Sequence, residues 1–109
     1  VVFRRTADTT VTVLSTSVTI VENRDHTVYA IGGTGGAGVT AFVTADTNTV
    51  VATTSTRVRV VHLASTAGNV DIFVTAPNAD LTTATPTLAN VPFRGVSGYL
   101  TVAAGTYQI

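Results

Sequence analysis

Runs in which apolar and polar side chains largely alternate at every second residue recur along the 109-residue chain. Thr10-Val11-Thr12-Val13-Leu14 is one, Val39–Thr44 a second and Arg57–Leu63 a third. A period of two is that of an extended strand with one face turned to a core. No stretch repeats apolar residues at helical spacing. The chain holds 23 Thr and 19 Val, which are stiff at χ1 and fit a pleated surface better than a helix. The nine glycines fall mostly between apolar runs. The pattern predicts an all-β chain.

Taken in order, strands are expected at Val1–Arg5, Thr10–Leu14 and Ser17–Glu22. Ser17–Glu22 and His26–Ile31 read as a hairpin about the turn Asn23-Arg24-Asp25. Val39–Thr44 and a short Val50-Val51 follow. Thr53-Thr54-Ser55-Thr56 has linker composition. Arg57–Leu63 places Val58, Val60 and His62 on one face. Val70–Thr75 follows, then a turn at Pro77–Asp80. Thr82–Asn90 is irregular or an edge strand, because Pro86 cannot donate to a ladder. Val91–Phe93 is short and extended. About eight or nine short strands separated by regular turn signals predict an antiparallel, immunoglobulin-like sandwich.

The two ends suggest how copies are related. Gly98–Ile109 reads as a strand, an Ala103-Ala104-Gly105 turn and half of a second strand. Val1-Val2-Phe3-Arg4 reads as the end of a strand. Joined, Thr106-Tyr107-Gln108-Ile109-Val1-Val2-Phe3-Arg4 is one strand of ordinary length. The expectation is a repeat cut in mid-strand, with residues 1–52 ending one copy and 57–109 beginning the next. Those eight residues are the candidate inter-unit junction, formed by strand continuity or by strand donation.

Charge narrows the partners. Six basic residues, all Arg, balance six acids, and the net charge is zero. Neither a basic footprint for nucleic acid nor a polybasic membrane segment is present, and no apolar run is long enough for a spanning helix. A neutral, Thr-rich strand protein is expected to pack against copies of itself. With no Cys there is no disulfide framework or thiol chemistry.

Val58-Arg59-Val60-Val61-His62-x-Ala64-Ser65, followed by Val70-Asp71-Ile72-Phe73-Val74, resembles the opening of domain-of-unknown-function family 4397. Phe93-x-x-Val96-Ser97-x-Tyr99-Leu100-x-Val102-x-Ala104-Gly105-Thr106-Tyr107 resembles that family's middle, and Val1–Ile31, with Thr27-Val28-Tyr29-Ala30, its continuation. The resemblance covers nearly the whole chain in permuted order. It departs from the family at Thr66-Ala67-Gly68-Asn69, where members usually carry a Pro-Asp-Ala-Pro-like turn. The resemblance implies a bacterial or archaeal surface protein, often a tandem repeat, with an immunoglobulin-like fold and no catalytic residues.

Candidate chemistry is sparse. Gly33, Gly35 and Gly38 fit a dinucleotide fingerprint, but an alternating strand follows them where that fingerprint needs a helix, and no acid lies about 20 residues on. An inter-strand loop is the better reading, with Gly33, Gly35, Gly36 and Gly38 as loop contacts between subunits. His26 and His62 lack the Cys or clustered carboxylates of a zinc site, and His62 is expected as a hydrogen-bonded core or interface residue. Ser65, His62 and Asp71 can be drawn as a triad, but no nucleophile elbow is present. Asn69-x-Asp71 and Asn78-x-Asp80 fall short of a calcium loop and read as turns. Thr82–Thr87 has the composition of an O-glycosylated stretch.

The expectation is a non-enzymatic building block of an extracellular filament, stalk or surface layer, with no cofactor and no metal. The alternative is an adhesive module of a tandem cell-surface protein, recognising glycan or a host surface through loops such as Gly32–Gly38 or Ala64–Asn69. All seven aromatic residues lie in strand-like segments, which favours the structural reading.

Overall fold

The computed structural model describes residues 1–32 and 38–109. Among them there is no helix. Eight short strands pair antiparallel in four two-stranded sheets. The chain divides into two compact units, Val1–Thr49 and Val50–Ile109, and every ladder lies within one unit.

In the first unit, β1 (Val2–Arg5) and β2 (Asp8–Ser15) form a hairpin about Thr6-Ala7. Phe3 lies opposite Leu14, and bulges follow Phe3 and Arg4. β3 (Asp25–Ile31) and β4 (Thr40–Asp46) pair without interruption from Asp25↔Asp46 to Ile31↔Thr40. Tyr29 and Phe42 face each other across this ladder with ring centroids 6.3 Å apart, a favourable aromatic separation.

That ladder corrects one expectation. Ser17–Glu22 is not a strand, and no hairpin joins it to β3. β3 and β4 match apolar to apolar at Val28↔Val43, Tyr29↔Phe42 and Ala30↔Ala41, and such cross-strand pairs decide partnership. β3 thus pairs with β4, and Ser17–Glu22 keeps its alternating pattern without a ladder.

In the second unit, β5 (Ser55–Val58) pairs with β8 (Leu100–Ala103). The pairing continues past both strands through Ser97 N–H to Val60 O (3.0 Å), the bridge Val61↔Val96, and Arg94 N–H to His62 O (2.7 Å). β6 (Val70–Ile72) pairs with β7 (Leu88–Val91) around a bulge. The polar stretch expected as a linker is partly strand, since Ser55 and Thr56 pair with Ala103 and Val102. Val50-Val51 is not strand, and Val50 is 98% exposed.

Among the described residues Ile31 is the single buried apolar side chain, at 6% exposure, and Thr44 and His62 are buried polar residues. The Val-rich faces are half-covered rather than closed. Two-stranded ribbons in units of this size bury little surface by themselves.

Candidate junction site

Val1 and Thr16 exchange both backbone hydrogen bonds, Val1 N to Thr16 O at 2.8 Å and Thr16 N to Val1 O at 3.0 Å. Val1 and Val2 nevertheless remain about half exposed, at 51% and 54%. Phe3 is half-buried, and Arg4 sends its guanidinium to Thr9 O at 3.2 Å. Four of the eight candidate junction residues are therefore held in the β1–β2 hairpin.

The other four belong to the second unit. Gln108 and Thr75 exchange both backbone hydrogen bonds, at 2.9 and 3.0 Å, and the Gln108 Oε1 accepts from Asn78 N–H. Thr106 is exposed. The Tyr107 hydroxyl donates to Ala103 O across the Ala104-Gly105 turn, and Ile109 is 76% exposed. Gln108 is thus strand-paired, with apolar side chains on either side of it facing solvent.

Asparagine governs the adjacent turns. Asn23, Asn78 and Asn90 sit at φ 58°, 62° and 55°, the left-handed region that asparagine tolerates better than most residues. Asn90 is gripped twice: its amide donates to Asp71 Oδ1 at 2.7 Å, and its side-chain oxygen accepts from Asn69 Nδ2 at 2.9 Å. Asn69-x-Asp71 is therefore a clamp on the β7 bulge. Asp8 and Asp80 make the same local motif. Each Oδ1 accepts from the hydroxyl and the amide of the threonine two residues on, Thr10 and Thr82. Those hydroxyls first, and the amides second, hold both carboxyls below their ordinary value.

The other candidates separate. His62 is buried, and its Nε2 bonds Gly68 O at 2.8 Å. Asp71 is committed to Asn90, so no hydrogen bond links Ser65, His62 and Asp71 among the described residues. His26 bonds Arg24 O and Val21 N in its own turn. No group of three or more His, Cys, Asp or Glu that could hold a metal occurs among the described residues. Gly33, Gly35 and Gly36 lie outside the described residues; Gly38 is exposed, with open space where a Cβ would stand.

The sequence reading missed two features. The Arg57 and Arg59 guanidinium carbons lie 4.6 and 5.3 Å from the Tyr99 ring centroid, within cation–π range. The signal was two arginines on one strand face opposite a tyrosine. The second is a half-open cleft of about 240 Å³ beside Leu88, Val91, Pro92, Gly95 and Val96. It is smaller than the usual pocket for a drug-sized ligand, roughly 300 Å³ and upward.

Among known families, the one described as "Domain of unknown function (DUF4397)" matches residues 1–73. The match takes in Val58–Phe73 of the first resembling block and ends before Phe93–Tyr107. No curated protein and no solved structure gives a significant match.

Proposed function

The chain belongs to the DUF4397 family of domains of unknown function, and from that premise we propose that it is a structural repeat or subunit of an extracellular filament, stalk or surface layer. Copies assemble head to tail through Thr106–Ile109 of one and Val1–Arg4 of the next, and the paired ribbons become parts of immunoglobulin-like sandwiches. The observation that carries this reading is the open build of each unit. One apolar side chain is buried among the described residues, while Val1, Val2, Tyr107 and Ile109 are exposed. Unguarded two-stranded ribbons are templates for further pairing. The zero net charge supports self-packing, since copies do not repel one another.

The existing pairings constrain the joint. In a joined strand, Gln108, Val1 and Phe3 lie two residues apart and direct their backbone groups to one edge. Gln108 bonds Thr75, and Val1 bonds Thr16. The joined strand therefore serves Thr75 with its first half and β2 with its second, as a strand does where it passes from one sheet to another. A contact of this kind is heterologous and need not close, so it propagates as a filament.

Denaturing electrophoresis of native material tests the proposal. A ladder or very large band is the outcome for covalent repeats. A single species near 11 kDa that sediments as polymer before denaturation is the outcome for strand donation. A monomer under native conditions would remove the proposal. Micromolar binding of one correctly phased repeat on a glycan array would promote the adhesive-module alternative.

A further inference from the structure

We infer that the outer edge of β6 and of the residues that run on from it to the Thr75 bridge, at Asp71 and Phe73, is a strand-acceptor site, and that its occupant is the Ser17–Glu22 segment of a second copy. The inference rests on the head-to-tail reading above and assigns it a second contact.

The acceptor edge follows from direction along the strand. Thr75 sends both its N–H and its C=O to Gln108, whereas Val74 N–H goes the opposite way, to Thr87 Oγ1 at 3.0 Å. Alternate residues of an extended strand face the same edge. Val70 and Ile72 thus share the β7 edge, on which they pair with Val91 and Leu88, and Asp71 and Phe73 share the edge of Thr75. Phe73 makes no backbone hydrogen bond among the described residues. In the joined strand the residue after Ile109 is Val1, which already bonds Thr16. The seam therefore leaves Phe73 and Asp71 uncovered.

The donor has matching needs. Val18, Thr19 and Ile20 make no backbone hydrogen bond among the described residues, and Ile20 is 66% exposed. Ser-Val-Thr-Ile-Val-Glu keeps a strand alternation that no ladder uses. It is free of Pro, and apart from Val21, whose N–H bonds His26 Nε2, its residues can donate to a ladder. Charge favours contact between unlike units. The first holds three arginines and four acids, the second three arginines and two acids. Strand addition of this kind uses main-chain bonds for affinity and alternate side chains for specificity.

The test pairs single-cysteine variants of a chain that has no cysteine of its own. Ile20→Cys and Asp71→Cys are mixed, assembled and oxidised in air. The expected product is a disulfide-linked dimer of unlike variants, with no dimer from Asp71→Cys alone. Homodimers of Asp71→Cys would show the edge pairing with itself and would overturn the inference. Because Asp71 also caps Asn90, hydrogen exchange on the unaltered protein is the second measurement. Amides of Phe73, Asp71 and Val18–Ile20 are expected to slow at least about tenfold on assembly. A polymer visible by electron microscopy in which Phe73 exchanges as fast as in monomer refutes the acceptor edge and leaves the head-to-tail reading standing. A chain that never polymerises refutes the head-to-tail reading itself.

Discussion

Thr44 shows what a single side chain does in this protein. Its hydroxyl is buried in β4 and has no hydrogen-bond partner, and an unsatisfied buried hydroxyl costs about 1–3 kcal/mol. Thr44→Val keeps the shape and the β preference while removing the orphan group. It is expected to stabilise the protein by about 1 kcal/mol, read as a higher denaturant midpoint at unchanged slope. Asp8 and Asp80 act through charge. Their folded-state carboxyls titrate below the ordinary value of 3.8 because Thr10 and Thr82 bond the ionised form. Their contribution is therefore complete above that value and is lost as the pH falls through the lower folded-state values. Asp8→Asn and Asp80→Asn should each flatten the decline in stability below pH 4, measured by urea melts across an acid series. Both groups are fully exposed, so the effect is modest.

At the scale of elements, Gly95 carries the tightest constraint. A Cβ there would stand 2.7 Å from Val91 Cγ1 and 2.8 Å from Pro92 O, and one of those atoms belongs to the backbone. Gly95→Ala should destabilise the second unit by about 1–3 kcal/mol, seen as faster amide exchange at His62, whose N–H bonds Gly95 O. Most strands were legible because their alternation was complete: β2, β3, β4, β6 and β8 fall where the period of two placed them, give or take a few residues. Ser17–Glu22 was misread for a physical reason. Its alternation describes what the segment can pair with and does not supply a partner, while β3 takes β4 through seven consecutive residue pairs. Ser55 and Thr56 were misread the other way. Their linker-like composition is overridden by Val102 and Ala103 opposite them. The clamp on Asn90 was invisible for a third reason, since Asn69 and Asp71 meet it only after β6 and β7 pair.

For the whole molecule, the head-to-tail reading makes its own prediction. A chain permuted to begin at Val50 and end at Thr49, with Ile109 joined to Val1, is expected to melt at a higher temperature. The cut falls between the two compact units and breaks no ladder. Equal melting of both chains would count against the joined strand.

The sequence alone determined the class. A period of two, 42 Thr and Val residues and glycine-rich breaks leave antiparallel strands as the economical fold. The family, too, was readable from local residue order, and the Val58–Phe73 pattern lies within the matched residues 1–73. Tertiary structure alone decided which strand meets which, which hydroxyl is stranded, and which edge stays open. Those outcomes depend on competition between segments far apart in the chain, and a local pattern records what a segment prefers without recording which partner reaches it first.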